Sequence, residues 1–136
     1  MAEVVVVRTL VEDVMTTDVV AVGPDSSART IAEVLDARKV TAVPVVDRYS
    51  RVLGVVSEAD IIHHRYTDGT AAQIMSSPAV TVHRDQPAVA AARLMERHTV
   101  KRLPVVDDLN RLVGIVSRSD LIHVYSSGGD LRTSET

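Results

Sequence analysis

The sequence predicts a mixed α/β protein built from two pseudo-symmetric β-α-β-β-α motifs packed sheet to sheet. Three observations predict it. First, one phrase is written twice. Ala42-Val43-Pro44-Val45-Val46-Asp47, followed by Gly54-Val55-Val56-Ser57-Glu58-Ala59-Asp60-Ile61, returns as Arg102-Leu103-Pro104-Val105-Val106-Asp107 and Gly114-Ile115-Val116-Ser117-Arg118-Ser119-Asp120-Leu121. The offset is constant (104 − 44 = 114 − 54 = 120 − 60 = 60). Second, each copy reads as strand, polar turn, strand and a helix opening on serine. Third, the 46% apolar content is aliphatic, with no Phe or Trp and three Tyr, which suits valine-rich strands buried against helices.

Taken in order, residues 1–9 are a lead-in with a valine run. Leu10 to Met15 is a short helix, for which Thr9 and Glu12 have capping-box spacing; at its counterpart, Ala71 to Met75, Thr70 and Gln73 have it in register with the repeat. Val19 to Val22 is a short buried strand. Asp25-Ser26-Ser27 starts a helix in which Ala28, Ile31, Val34 and Leu35 recur at helical spacing, and Lys39-Val40-Thr41 ends it. Strands follow over Val43–Val46 and Val52–Val56, joined by Asp47-Arg48-Tyr49-Ser50. Gly54 lets another backbone approach the second strand. Ser57 then caps a helix running towards Tyr66. The second copy gives a strand at Val80–Val82, a helix from Asp85 or Gln86 to His98, strands at Leu103–Val106 and Leu112–Val116, and a helix over Ser117–Tyr125. The expected organisation is motif 1 over 10–66, a linker at 67–70, motif 2 over 71–125 and a polar tail at 126–136. Laying 11–62 on 71–122 needs no gap. Two copies of long period make a pseudo-two-fold pair rather than a solenoid, and each half is too apolar on one face to stand alone. The two halves are therefore expected to share a cleft.

Net charge of −3 gives no general attraction to nucleic acid or anionic lipid. The balance is uneven: 1–68 carries 7 basic and 11 acidic residues, 69–136 carries 8 and 7, so an anion site should lean on the second half. No Cys means no disulfide and no thiolate metal site. The early valine run is too short for a signal segment or a membrane span, and a cytoplasmic protein is the default expectation. His63, His64, His83, His98 and His123 lack a metal-binding spacing such as His-x-x-x-His. Without a nucleophile motif or a Gly-rich phosphate loop, catalysis has no support.

The doubled phrase, apolar-Pro-Val-Val-Asp, turn, Gly-apolar-Val-Ser-x-x-Asp-apolar, resembles the CBS domain over roughly residues 10–125. Two copies form the pair called a Bateman module, and Asp130-Leu131-Arg132 resembles the junction to a BON domain in some bacterial members. The resemblance implies a freestanding, non-catalytic regulatory module that takes AMP, ADP, ATP or S-adenosylmethionine in a cleft between the motifs, forms a homodimer and reports to an unknown protein target. By resemblance Asp60 and Asp120 hold the ribose, as an ionised carboxylate can accept both hydrogen bonds of a vicinal diol. The plainer role of each is to close a capping box with Ser57 or Ser117. Ser119 adds a hydroxyl where the first copy has Ala59. Thr16 and Val20, their equivalents Ser76 and Val80, and Thr41 and Ala42 are the implied adenine contacts; for the valines, simple core packing is the alternative. Lys101 and Arg102 replace Thr41 and Ala42 in the second copy. The resemblance makes them phosphate ligands for a nucleotide whose ribose sits on Asp60, with Arg118 assisting the other site. Two rival classes are a dimerisation module with vestigial clefts, using Ile61, Ile62, Leu121, Ile122 and Val124 as its interface, and a nucleic-acid binder, which the negative charge and scarce aromatics disfavour.

Overall fold

The computed structural model describes residues 9–65 and 68–128. The chain runs α1 (Val11–Val14), α2 (Ala28–Arg38), β1 (Ala42–Val46), β2 (Val52–Ser57), α3 (Glu58–His63), α4 (Ala71–Ile74), β3 (Val82–His83), α5 (Ala88–His98), β4 (Arg102–Val106), β5 (Leu112–Ser117) and α6 (Arg118–Ser126). This is the mixed α/β order that the repeat predicts, with two small sheets: β1-β2, antiparallel, and β3-β4-β5, in which β3 and β4 are parallel. The expected helix end near Tyr66, the valine run before Thr9 and the end of the tail lie outside the described residues.

The first strand of each copy is shorter than the sequence suggested. In copy one only Val22 joins the sheet, by a parallel bridge to Val45. Its N–H donates to Pro44 O at 3.0 Å, and Val46 N–H returns to Val22 O at 2.9 Å. Two residues later Pro24 has no N–H to offer, so the ladder stops. In copy two that position is Arg84, whose N–H donates to Val106 O at 3.0 Å, and β3 reaches two residues.

The helix starts follow cap chemistry. Ser27 Oγ accepts from Thr30 N at 3.1 Å and opens α2. α5 begins at Ala88 with Pro87 as its N-cap, later than Asp85 or Gln86. Thr9 and Glu12 do not cap α1. Leu10 N–H donates to Asp13 Oδ2 at 2.8 Å instead, matching in register Thr70 N–H to Gln73 Oε1 at 2.9 Å. Both long helices end in a left-handed residue, Lys39 (φ 57°) and Thr99 (φ 55°).

The folded units are not the sequence copies. Of the described residues, one unit takes those up to Val19, Val80–Asp108 and those from Val113; the other takes those between Val20 and Ala79 together with Leu109–Leu112. We call them the α5/α6 unit and the α2/α3 unit. The short helix of each copy belongs to the body of the other. Val11 of α1 is buried in a core with Met95, Leu103, Val105, Val116 and Leu121, whereas Ala71 and Ile74 of α4 are buried with Ile31, Leu35, Val43, Val45 and Val56. Backbone bonds fix the exchange. Ala88 N–H, the first amide of α5, donates to Thr9 O at 2.8 Å, and Val11 N–H donates to Gln86 O at 2.8 Å; Ala28 N–H donates to Gly69 O at 3.0 Å, and Ala71 N–H to Ser26 O at 2.8 Å. Orphan amides at the helix starts are satisfied by a neighbouring segment.

Two glycines make room for the exchanged segments, as Gly54 was expected to do. A Cβ on Gly54 would lie 2.7 Å from both Met75 Sδ and Ser76 O; on Gly114 it would lie 2.6 Å from Met15 Sδ and 2.9 Å from Thr16 O. These segments pair with the strands beneath them, Ser76 with Val55 and Thr16 with Ile115.

Candidate functional site

Each copy's last helix opens on the predicted serine with the predicted carboxylate folded back onto it. In the α2/α3 unit Ser57 N–H and Oγ donate to Asp60 Oδ2 at 2.9 and 3.0 Å, and Asp60 N–H donates to Ser57 Oγ at 3.2 Å. In the α5/α6 unit Ser117 N–H donates to Asp120 Oδ2 at 2.8 Å, and Asp120 N–H donates to Ser117 Oγ at 3.1 Å. The capping-box role is therefore real in both. It uses one oxygen. Among the described residues no hydrogen bond reaches Oδ1 of Asp60 or Asp120. Both carboxylates are half-buried, so each keeps one acceptor with free lone pairs, held rigidly at a helix start.

The other candidates fall around these caps, sorted by the exchange. In the α2/α3 unit Ala42 stands opposite Ser57 in the β1-β2 register, and Glu58 N–H donates to Thr41 O at 2.9 Å. Ser76 lies along the same strand, exchanging backbone bonds with Val55 at 2.9 and 3.1 Å, and Val20 belongs to this unit. In the α5/α6 unit Arg118 N–H donates to Lys101 O at 2.8 Å, and Thr16 exchanges bonds with Ile115 at 2.8 and 2.9 Å. Val80 packs against this unit's core, as its structural alternative predicted. Thus Thr16, a residue of the first copy, shares a unit with Asp120, and Ser76, a residue of the second, shares one with Asp60. Sequence register alone pairs them the other way.

Charge separates the units. The α5/α6 unit carries Lys101, Arg102 and Arg118 where the α2/α3 unit carries Thr41, Ala42 and Glu58. Lys101 and Arg118 line one groove between α5 and α6, with Leu121 and Ile122. Arg102 is half-buried at the start of β4, and its buried Nε has no hydrogen-bond partner among the described residues. A buried guanidinium donor without an acceptor costs free energy that an incoming anion would recover. Among the described residues no helix is long and apolar enough to cross a membrane.

The model of the CBS domain matches residues 11–66 and 71–127. The CBS domain-containing protein YhcV of Bacillus subtilis is 34% identical over 116 residues, which cover 82% of this chain and 81% of YhcV. A homoserine O-acetyltransferase of Methanococcoides burtonii is 37% identical over 115 residues, covering 84% of this chain but 24% of that enzyme. Several other curated relatives are likewise long, and this chain spans under half of them, 39% of MJ1232 of Methanocaldococcus jannaschii for example. Among solved structures, the CBS domain pair of protein MJ0100, in complex with 5'-methylthioadenosine and S-adenosyl-L-methionine, is similar at a TM-score of 0.80 and 27% identity, over 89% of this chain and 98% of that one. CBSX2 in complex with AMP is similar at a TM-score of 0.81 and 28% identity, over 87% and 96%. With both copies matched and nearly every described element included, this chain is a member of the CBS domain family, carrying a tandem pair of CBS domains.

Proposed function

We propose that this chain is a non-catalytic regulatory module that binds an adenosine-containing ligand, AMP, ADP, ATP or S-adenosylmethionine, and passes its occupancy to a partner protein. The observation that carries the reading is the unused Oδ1 of Asp60 and Asp120, each fixed by a cap; the resemblance to the family is what makes these two carboxylates the ribose contacts. The likeness to CBS pairs crystallised with AMP, and with S-adenosyl-L-methionine and 5'-methylthioadenosine, supports the ligand class. In this reading Oδ1 takes the ribose diol, and Ser57, Ser117 and Ser119 add hydroxyls beside it. Thr16, Val20, Thr41, Ala42, Ser76 and Val80 contact adenine. Lys101, Arg102 and Arg118 meet phosphate, with Arg102 Nε as the donor that gains most. Occupancy changes the partner's response only in so far as the ligand binds two conformations unequally.

The test is titration calorimetry with AMP, ADP, ATP and S-adenosylmethionine on the wild type, Asp60→Ala and Asp120→Ala. Loss of the ribose contact costs about 1.5–3 kcal/mol, ten-fold to more than a hundred-fold in affinity. An affinity left unchanged by both substitutions sinks the ribose assignment, and an absence of binding by all four ligands sinks the sensor reading.

A second reading, a module whose output is homodimerisation, has its own observation. Ile62 and Ile122 are 62% and 65% exposed on α3 and α6. Each stands at a groove of roughly the same size, about 410 Å³ between α2 and α3 and 420 Å³ between α5 and α6. Light scattering with and without nucleotide separates the readings: a dimer of constant mass that binds no nucleotide favours this one.

A further inference from the structure

The geometry points to a metal site unrelated to the caps: His83, Asp85 and Asp108 bind one zinc ion at the edge of the three-stranded sheet. The ligand atoms of the three side chains all lie within 4.8 Å of one another. His83 Nδ1 stands 3.5 Å from an oxygen of Asp85 and 3.5 Å from an oxygen of Asp108. Those separations decide between two explanations. A charge-assisted N–H···O bond closes to about 2.7–2.9 Å, so neither contact is a good hydrogen bond. Donors held about 2.0–2.2 Å from a tetrahedral ion stand roughly 3.3–3.5 Å apart along the edges of the tetrahedron. His83 Nδ1 stands at such an edge distance from one oxygen of each carboxylate, and with all three ligand atoms within 4.8 Å of one another a small closing of the two aspartates onto an ion makes three corners of a tetrahedral shell, with the fourth place open to water.

The backbone under His83 is held by the sheet. His83 is the end of β3, opposite Val106 of β4, and Arg84 N–H donates to Val106 O at 3.0 Å, so the backbone carrying His83 is tied to the strand that leads to Asp108. Arg84, the neighbouring cation, turns towards Glu12, 3.9 Å away, and does not neutralise the pair. The first copy lacks the set: sixty residues earlier stand Gly23, Asp25 and Arg48, without the imidazole and with a cation in place of the second carboxylate. The site is therefore particular to the second copy. No sequence spacing announces it, because Asp108 comes from the turn after β4. One nitrogen and two oxygens suit zinc better than calcium or magnesium, which take oxygen shells.

The experiment is zinc titration of the full chain by calorimetry, with the His83 ring followed by NMR. The expected result is one zinc per chain, a shifted His83 ring, and affinity falling about tenfold or more in both His83→Ala and Asp108→Asn, at least the loss that weaker outer-shell changes cause. Asp108 is 90% exposed, so Asp108→Asn tests the site without risk to the fold. His98→Ala should bind as the wild type does. No zinc binding, zinc binding undiminished in both variants, or magnesium binding as tightly as zinc would each overturn the assignment.

Discussion

Gly114→Ala tests why the short segments cross between copies. The new Cβ would meet Met15 Sδ at 2.6 Å and Thr16 O at 2.9 Å. The sulfur sits on a flexible side chain and can swing away. The carbonyl cannot, because it accepts from Ile115 N–H at 2.9 Å while Thr16 N–H donates to Ile115 O at 2.8 Å. Relieving the contact means prising Thr16 off β5 by several tenths of an ångström and stretching both bonds. Overpacking of this kind costs about 1–3 kcal/mol. The reduced freedom of the unfolded chain returns about 0.4–1 kcal/mol. The net is a loss of about 1–2 kcal/mol, a fall in Tm of roughly 3–10 °C for a chain of this length. Calorimetric melting measures it, with two comparisons alongside. Gly23→Ala, with nothing within 4 Å of the added Cβ, should be near neutral. Adding Met15→Ala to Gly114→Ala should not restore stability if the carbonyl is the obstacle. A Gly114→Ala protein as stable as the wild type, or full rescue by Met15→Ala, refutes the argument that backbone approach requires this glycine.

Thr99 ends α5 at φ 55°, where a β-branched residue is strained. Thr99→Gly should therefore raise stability by about 1 kcal/mol in urea unfolding, and more than Lys39→Gly does at the unbranched equivalent. Ser117→Ala should lower stability by about 1 kcal/mol without ligand, through loss of the cap on α6; a neutral result would detach the cap from the fold. Partial desolvation works to raise the Asp47 carboxyl, but the amides of Arg51 and Tyr49 and the Arg51 guanidinium, at 2.7 to 2.9 Å, outweigh it and hold the group below its ordinary 3.8. A folded pKa below the unfolded one contributes stability that is fully present above about pH 4. That stability is lost as pH falls through the lower folded value. The acid-unfolding curves of Asp47→Asn and wild type should accordingly differ at neutral pH and converge in strong acid. Parallel curves throughout would refute the linkage.

Most elements of the fold were legible because their causes are local. Ser57 and Ser117 cap, Lys39-Val40 ends a helix, and the Pro-Val-Val phrases have the β-branched density of buried strands. The first strands came out shorter because ladder length depends on a partner: Pro24 against Arg84 separates one bridged residue from two. Thr9 and Glu12 had the spacing of a cap, but tertiary packing set α1 one residue later, on Leu10 and Asp13. The candidate site was half legible. Spacing placed Ser57 with Asp60 and Ser117 with Asp120, since a capping box closes within one turn. Which short segment joins which carboxylate was not in the register, for Thr16 and Asp120 are far apart along the chain and meet in one unit only through the pairing with β5. The sequence by itself determined two copies, the broad order of their elements, the caps on Ser57 and Ser117, and the glycine at 54 that leaves room. Only the tertiary structure decided which copy's segment fills that room, and gathered His83, Asp85 and Asp108. Backbone pairing between distant segments is a property of the folded chain, with no period along the sequence to announce it.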